Sequence, residues 1–246
     1  MNGERSQWTW IAVAAILALG LVLSAQVAGS SLVEMKAVDN VITVTGSAKQ
    51  QIKSDQAVWT GSFAAQAPQL AEAYDQLVES QKLVRNYLVE QGFSEKDIIF
   101  SSINTETRNR ILPSGQYTNE IESYRLYIQV EIRSQDVDKI TVLSREATQL
   151  INQGVEFQSN PPQYFYTKIA DLKVEMLALA TQDAYTRAEQ IAKNSKSKVG
   201  GLRAARMGVF QITPLYSNEI SDYGINDTYS LEKEITAVMN CDFEVH

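Results

Sequence analysis

The sequence predicts an α+β fold: antiparallel sheets covered by helices in two related strand–helix units, preceded by one N-terminal transmembrane helix. Three observations predict it. Apolar residues alternate with period two in several segments, as in strands with one buried face. Between those segments they recur at helical spacing and the run ends on glycine, as in helices that lay one stripe on a sheet. Finally, "WTWIAVAAILALGLVLSAQVA", Trp8 to Ala28, carries no charge and is close to the roughly 20 residues a helix needs to cross the hydrocarbon core.

Trp8 and Trp10 open that segment as interfacial aromatics do. Residues 1–7 are then a short cytoplasmic head, 8–28 an anchor, 29–39 a tether and 40–246 an extracytoplasmic domain. The competing reading is a cleaved signal peptide, with small residues at Val27–Gly29 or Ala28–Ser30 as the cleavage site; a buried soluble helix is a third. Arg5 ahead of the segment and Glu34, Lys36 and Asp39 behind it favour a cytoplasmic N-terminus.

In the domain, Val41–Thr45 is a β-branched strand that Gly46 is expected to break. Ala57, Trp59, Gly61, Phe63 and Ala65 share one face of the next strand, with Val58, Thr60 and Ser62 on the other. Pro68 opens a helix whose stripe is Leu70, Ala73, Tyr74, Leu77, Val84 and Leu88, stopped by Gly92. "DIIFSSINTETRNR" is extended and polar, "PSG" is a turn, and "SYRLYIQVEIR" points Tyr124, Leu126, Ile128, Val130 and Ile132 inward, with Arg125, Tyr127, Gln129, Glu131 and Arg133 outward. A helix over Asp136–Gln153 directs Ile140, Leu143, Ala147, Leu150 and Ile151 inward and stops at Gly154. "VEFQSNPPQYFYTK" is a strand that Pro161 and Pro162 confine to an edge or bulge. The longest helix, about Ile169 to Lys198, carries Leu172, Met176, Ala180, Ala184, Ala188 and Ala192 every fourth residue, a small-residue ridge that admits another backbone closely. An extended "VGGLRAARMGVFQI", a polar loop "TPLYSNEISDYGINDTYS" and a strand with Ile235, Ala237, Met239, Cys241, Phe243 and Val245 on one face complete the chain. "LVEQGFSEKDIIFSS" and "LINQGVEFQS" echo each other: helix end, Gln-Gly, strand.

Chemistry is sparse. Hydrophobic residues make up 44% and charged residues 21%, as in a globular protein. The net charge of -7, with basic residues in short clusters, argues against nucleic acid. His246 is the single histidine and is expected to fray at the terminus; Cys241 is the single cysteine and falls on an apolar strand face. No triad, thiolate metal site or disulfide follows from them. Ser195 and Lys198 match S-x-x-K but lie in a solvated "KNSKSK". Asp136 and Asp138 read as first-turn capping carboxylates and not cation ligands. Asn226–Thr228 is a formal glycosylation sequon. No catalytic, cofactor-binding or metal-ligating residues are expected, and no cofactor.

The tyrosines stand out. Tyr117, Tyr124, Tyr127, Tyr164 and Tyr166, with Phe165, sit in or beside strands near proline-marked turns. Sheet packing with hydroxyls at the rim is one reading; a subunit interface, where Tyr is enriched, is the other.

Taken in order, "VITVTGSA", Asp55 and Ala57, "LVEQGFSEKDI", "YRLYIQVEI", "LINQGVEFQS" and the Ala-ridged helix running into "KVGGL" resemble the SIMPL-domain family (domain of unknown function 541) over about Val41 to Val245. Its members include exported bacterial proteins described as periplasmic immunogenic proteins. The resemblance implies an α+β fold of two related units, export, large hollow homo-oligomers and a loose association with oxidative-stress tolerance. It implies no established catalytic activity and supplies no catalytic residues. The N-terminal segment departs from it, reading better as a retained anchor than as a cleaved signal.

The expected function is therefore a non-enzymatic, membrane-anchored structural protein that self-assembles, with the domain held outside the bacterial inner membrane. Secretion to the periplasm after signal cleavage is the alternative location. The alternative function is a ligand-binding or sensor module using the Tyr-rich strands or the Tyr216–Tyr229 loop, and a carboxylate- or tyrosine-based enzyme is a third reading.

Overall fold

The computed structural model describes residues 40–246 together with Leu17, Ala18, Gly20, Leu21, Val22, Ser24, Ala25 and Gln26, which are helical. The expected span 8–28 and tether 29–39 lie largely outside the described residues. Among the described residues no helix is long and apolar enough to cross a membrane.

In chain order the elements are β1 (Val41–Lys53), β2 (Gln56–Ala67), α1 (Leu70–Glu90), β3 (Ile98–Phe100), β4 (Asn104–Ile111), β5 (Tyr117–Ser134), α2 (Val137–Glu146), β6 (Glu156–Ser159), β7 (Gln163–Phe165), α3 (Ile169–Asn194), β8 (Val199–Met207), β9 (Gln211–Pro214), β10 (Ile225–Asn226) and β11 (Glu232–Val245). Short 3-10 turns cover Glu95–Asp97 and Ala147–Gln153. The fold is α+β, as expected. Two compact units divide it, with divisions inside β1, α3 and β11 and between β8 and β9: one holds Lys49–Met176 with Val209–Ala237, the other the described residues up to Ala48 with Leu177–Gly208 and Val238–His246.

The larger unit is built on a sheet ordered β3-β5-β2-β6, with β4 also on β5 and β7 also on β2. The β2–β5 pair is antiparallel from Ala57↔Ser134 to Ala67↔Tyr124. Its inner face is the alternating set read from the sequence. Ala57, Trp59, Phe63, Leu126, Ile128, Val130 and Ile132 meet Ala73, Leu77, Val84 and Leu88 of α1 and Ile140 and Leu143 of α2 in one buried cluster. Each large side chain so buried contributes about 1.5–3 kcal/mol. Phe157 of β6 stacks between Trp59 and Phe63, with ring centroids 6.1 and 6.4 Å away. Gly61 makes room for it, since a Cβ there would stand 2.5 Å from Phe157 Cζ. Polar atoms in this layer are satisfied in a chain: Trp59 Nε1 donates to Ser159 Oγ at 3.0 Å, which donates to the Ser144 carbonyl at 2.7 Å. β6 and β7 flank Pro161 and Pro162, and among the described residues they pair with β2 alone, as an interrupted edge strand requires.

The two sequence echoes adopt one geometry. Gly92 and Gly154 are left-handed, with φ of 79° and 84°. Each is followed by a buried apolar residue whose N–H returns to a buried leucine carbonyl, Phe93 to Leu88 at 3.1 Å and Val155 to Leu150 at 3.2 Å. Gly92 and Gly154 themselves donate to Val89 and Ile151. Both are Schellman caps.

Several expectations need correction. α1 starts at Leu70 with Gln69 as its N-cap; Leu70 and Tyr74 are exposed to either side of the buried Ala73, and Tyr87 is buried further along the helix. The second helix is α-helical only to Glu146. The 3-10 turn that follows steps by three, which buries Ala147 and Leu150 and swings Ile151 outward. α3 ends at Asn194, not Lys198. Asp136 is its helix's N-cap as read, accepting from Lys139 N at 3.0 Å, while Asp138 pairs with Lys53.

In the smaller unit Gly46 does not break β1, which runs through it. A Cβ at Gly46 would collide with the Ala180 carbonyl oxygen and the Ala184 amide and stand 2.7 Å from Ala184 Cβ. The alanine ridge thus has its close backbone neighbour in β1. Thr43 and Thr45 donate through their hydroxyls to Asp242 and Asn240, each at 2.7 Å, stepping in opposite directions along β1 and β11 as in an antiparallel pair. β8 pairs antiparallel with β11 from Met239↔Met207 to Val245↔Val199.

Candidate interaction surfaces

Three surfaces of the larger unit combine exposure with an ordered framework. The first is the β4–β5 ribbon. β2 pairs with β5 only from Tyr124 onward, so Tyr117–Ser123 have β4 as their one described partner. Every residue of β4 is exposed, as are five of the first six of β5. The tip is organised all the same: Leu112 N donates to the Gln116 carbonyl at 2.9 Å, Gly115 takes φ 84°, and Thr118 Oγ1 donates to the Arg110 carbonyl. Ile111, Leu112, Tyr117 and Ile121 stand in solvent, Tyr117 at 78%. Register shifts between Arg108 and Asn109 and between Asn109 and Ile111 add local twist to the ribbon.

The second is a trough of about 350 Å³ on the outer face of the same sheet. Short side chains of the central strand, Ser62 and Ala64, make its floor, and longer ones on the neighbouring strands make its walls: Arg125, Tyr127 and Gln129 on β5, Glu156 and Gln158 on β6. Arg125 and Glu156 pair at 2.5 Å across it.

The third is the loop between β9 and β11. It is pinned from below by Lys233, which is only 3% exposed and donates from Nζ to the carbonyls of Tyr164 and Asp227, both at 2.6 Å. Burial pulls the Lys233 pKa below its ordinary value, with the Asp227 charge opposing. Burial pushes the Asp227 carboxyl up, but hydrogen bonds from the Ser230 and Tyr229 side of the loop and the Lys233 charge outweigh it and hold its pKa low. Gln211 adds a second pin, bonding the backbone of Ser221 from both ends of its amide at 2.7 and 3.4 Å. β10, inside this loop, pairs parallel with β9.

The five tyrosines do not share one face. Tyr117 is at the ribbon tip, Tyr124 packs partly against the core, Tyr127 lines the trough, and Tyr166 is half-buried beside a small cavity of about 110 Å³ that Lys233 also lines. Tyr164 is buried and its hydroxyl shares a 2.7 Å hydrogen bond with Thr141. Cys241 is buried, and burial raises its thiol pKa. His246 is not frayed: its main chain exchanges hydrogen bonds with Lys198 at 2.8 and 2.9 Å. Ser195 Oγ turns back onto the Ile191 and Ala192 carbonyls. Asn226 of the sequon is exposed on β10. Among the described residues no three His, Cys, Asp or Glu side chains gather as a metal site would require.

Two residues that the sequence reading gave no structural role have structural weight. Lys233 is one; its signal was its register, two residues before Ile235 on the inward face of β11. Asp55 is the other: its carboxylate accepts from Thr167 N and Oγ1, both at 2.7 Å.

The family described as SIMPL, protein of unknown function (DUF541), matches residues 42–240. No curated protein matches the chain. Among solved structures, the crystal structure of an amidase of the hydantoinase/carbamoylase family from Burkholderia phymatum is similar at 9% identity and a TM-score of 0.27, over 50% of this chain and 32% of that one. The chain thus spans about a third of that amidase's length.

Proposed function

The chain belongs to the SIMPL family of proteins of unknown function (DUF541), and on that premise we propose that it is a membrane-anchored extracytoplasmic scaffold that assembles into a large homo-oligomer. Residues 8–28 hold it in the bacterial inner membrane and residues 40–246 lie in the periplasm or outside. It works without catalysis or cofactor and supports envelope integrity or oxidative-stress tolerance through its assembled form. The observation that carries the reading is the β4–β5 ribbon. An isolated two-stranded ribbon is marginal in water, yet this one is ordered at its tip while exposing Ile111, Leu112, Tyr117 and Ile121. Apolar side chains gathered on such an arm suit burial against another copy.

The test is absolute mass by light scattering, on residues 31–246 and on the full chain in mild detergent. A discrete mass of many subunits is expected, falling when Ile111 and Tyr117 are both changed to Lys while the circular dichroism spectrum is kept. A monomer in both forms at micromolar concentration sinks the proposal.

The trough favours a second reading, a ligand-binding module, because its volume is within the roughly 300–1,000 Å³ usual for small-molecule sites and polar groups converge on it. A saturable thermal shift with a soluble envelope component, lost in Ala64→Leu, supports that reading; no shift with any such component at millimolar concentration removes it.

A further inference from the structure

The loop Leu215–Ser230 presents a combination that burial alone does not explain. It is held from several sides, by Lys233, by Gln211, by the Asp227 carboxylate on the N–H groups of Tyr229 and Ser230, and by Gly224 N on the Ser221 carbonyl. Tyr216 sits at φ 63°, a strained conformation for a non-glycine residue. This rigid frame nevertheless puts Tyr216, Ile220, Tyr223 and Tyr229 in solvent, Tyr216 at 89% and Tyr223 at 98%. Tyr, Ser, Asn and Asp dominate the loop. Rigid aromatics among small polar residues make large contacts at low entropic cost, as in antibody paratopes.

Charge identifies what the loop fits. From Met207 to Glu232 the chain has four acidic residues, Glu219, Asp222, Asp227 and Glu232, and no Lys or Arg. From Gln190 to Arg206 it has five basic ones, Lys193, Lys196, Lys198, Arg203 and Arg206, and no Asp or Glu. That basic segment is the end of α3, the turn that follows it and β8 as far as Arg206. Among the described residues β8 pairs with β11 alone, so its other edge is open, and Leu202 and Met207 are exposed on it. Positive charge along an open edge repels a second β8 and so blocks edge-to-edge pairing of like with like. The same charge attracts an acidic segment.

We propose that the tyrosine loop of one copy docks on the β8 edge and basic segment of a second copy, a head-to-tail contact. This rests on the self-assembly reading and names two surfaces that would carry it. The contact joins different patches on the two partners, so each copy donates a loop and receives one, and the series closes or extends according to its rotation. Lys196, Lys198 and Arg206 meet Glu219 and Asp222, the exposed tyrosines cover Leu202 and Met207, and specificity comes from repulsion of every like-with-like pairing.

Charge reversal on the full chain in mild non-ionic detergent tests it, read as mass by light scattering and as dissociation on dilution. The variants are Glu219→Lys with Asp222→Lys, and Lys196→Glu with Arg206→Glu, all at exposed sites. Each pair alone is expected to weaken association at least tenfold, and an equimolar mixture of the two, or both pairs in one chain, to restore it. Tyr223→Ser is expected to weaken association without altering charge. If the wild-type chain is a monomer, self-assembly and this contact fall together. If the wild type assembles and both reversals leave its mass and dissociation unchanged, or the mixture stays dissociated, this contact is overturned and the assembly uses other surfaces.

Discussion

Gly46 of β1 lies directly against the backbone of Ala180 and Ala184 in α3, with no space for even a methyl group between them. Helix and strand are drawn together at this point by Ser47 N, which donates to Asp183 Oδ2 at 2.8 Å. Backbone atoms cannot step aside as a flexible side chain can, so the contact tolerates no added carbon. Gly46→Val is expected to destabilise by about 3 kcal/mol or more, visible as an earlier urea midpoint. An unchanged midpoint means that helix and strand separate freely here.

Tyr87 makes the opposite prediction. It is 6% exposed in the core of the larger unit, and its hydroxyl has no hydrogen-bond partner among the described residues. Removing that oxygen removes a desolvated polar group, so Tyr87→Phe is expected to stabilise by about 1 kcal/mol. Burial, with the Glu146 charge, also raises the Tyr87 pKa. Above pH ~10 the unfolded tyrosine loses its proton while the folded one keeps it, so stability falls as pH rises toward the folded value. Urea unfolding at pH 9 and pH 10.5 checks both effects; the Phe variant loses less stability between them.

The Cys241 thiol is buried and its pKa is raised by that burial and by Asp242. Thiolate is the reactive form, so labelling by an aromatic disulfide reagent at pH 8 is expected to be slow and to follow unfolding, rising in step with urea. Rapid stoichiometric labelling in native buffer contradicts the packing of β11. The sign with pH matches that of Tyr87: stability is full below the ordinary thiol range and lost as pH climbs through it.

Lys233→Met is expected to cost about 2–3 kcal/mol, because the buried carbonyl of Tyr164 and the part-buried one of Asp227 lose a charged donor. Limited proteolysis locates the damage. New cleavage between residues 215 and 230 supports Lys233 as the pin of that loop, and an unaltered cleavage pattern with unaltered melting removes the role.

Much of the larger unit was legible because its signals are local. Trp59, Phe63, Leu126, Ile128 and Ile132 alternate inward as read, and Gly92 and Gly154 stop their segments where the left-handed turn falls. The misreadings occur where a distant partner or a change of period decides. Glycine inside a strand pattern fits either a break or a close approach, and only the alanine ridge, over a hundred residues later, selects the second for Gly46. Ile151 is placed inward by a period of 3.6 and outward by the period of three that begins at Ala147. Lys233 looked like an ordinary charged residue, although the alternation of β11 had already assigned it to the inner face. The trough was legible only in part. Tyr127 and Arg125 were read as outward, but its depth depends on Ser62 and Ala64 being flanked by both β5 and β6, a matter of strand order.

The twin caps at Gly92 and Gly154 bear on the order in which this protein folds. Each turns the chain within two residues and sends it toward a strand of the same sheet, β3 after one and β6 after the other. The contacts they make are short-range, whereas the central β2–β5 pair joins residues as far apart in sequence as Trp59 and Ile132. Loop closure is cheap for the first and expensive for the second. The caps are thus placed to form early and the central pair late. Gly154→Ala has open space around its methyl, but a Cβ is strained against its own backbone at φ 84°, a penalty of about 1–2 kcal/mol. In stopped-flow refolding that penalty is expected to slow the folding arm and leave the unfolding arm where it is.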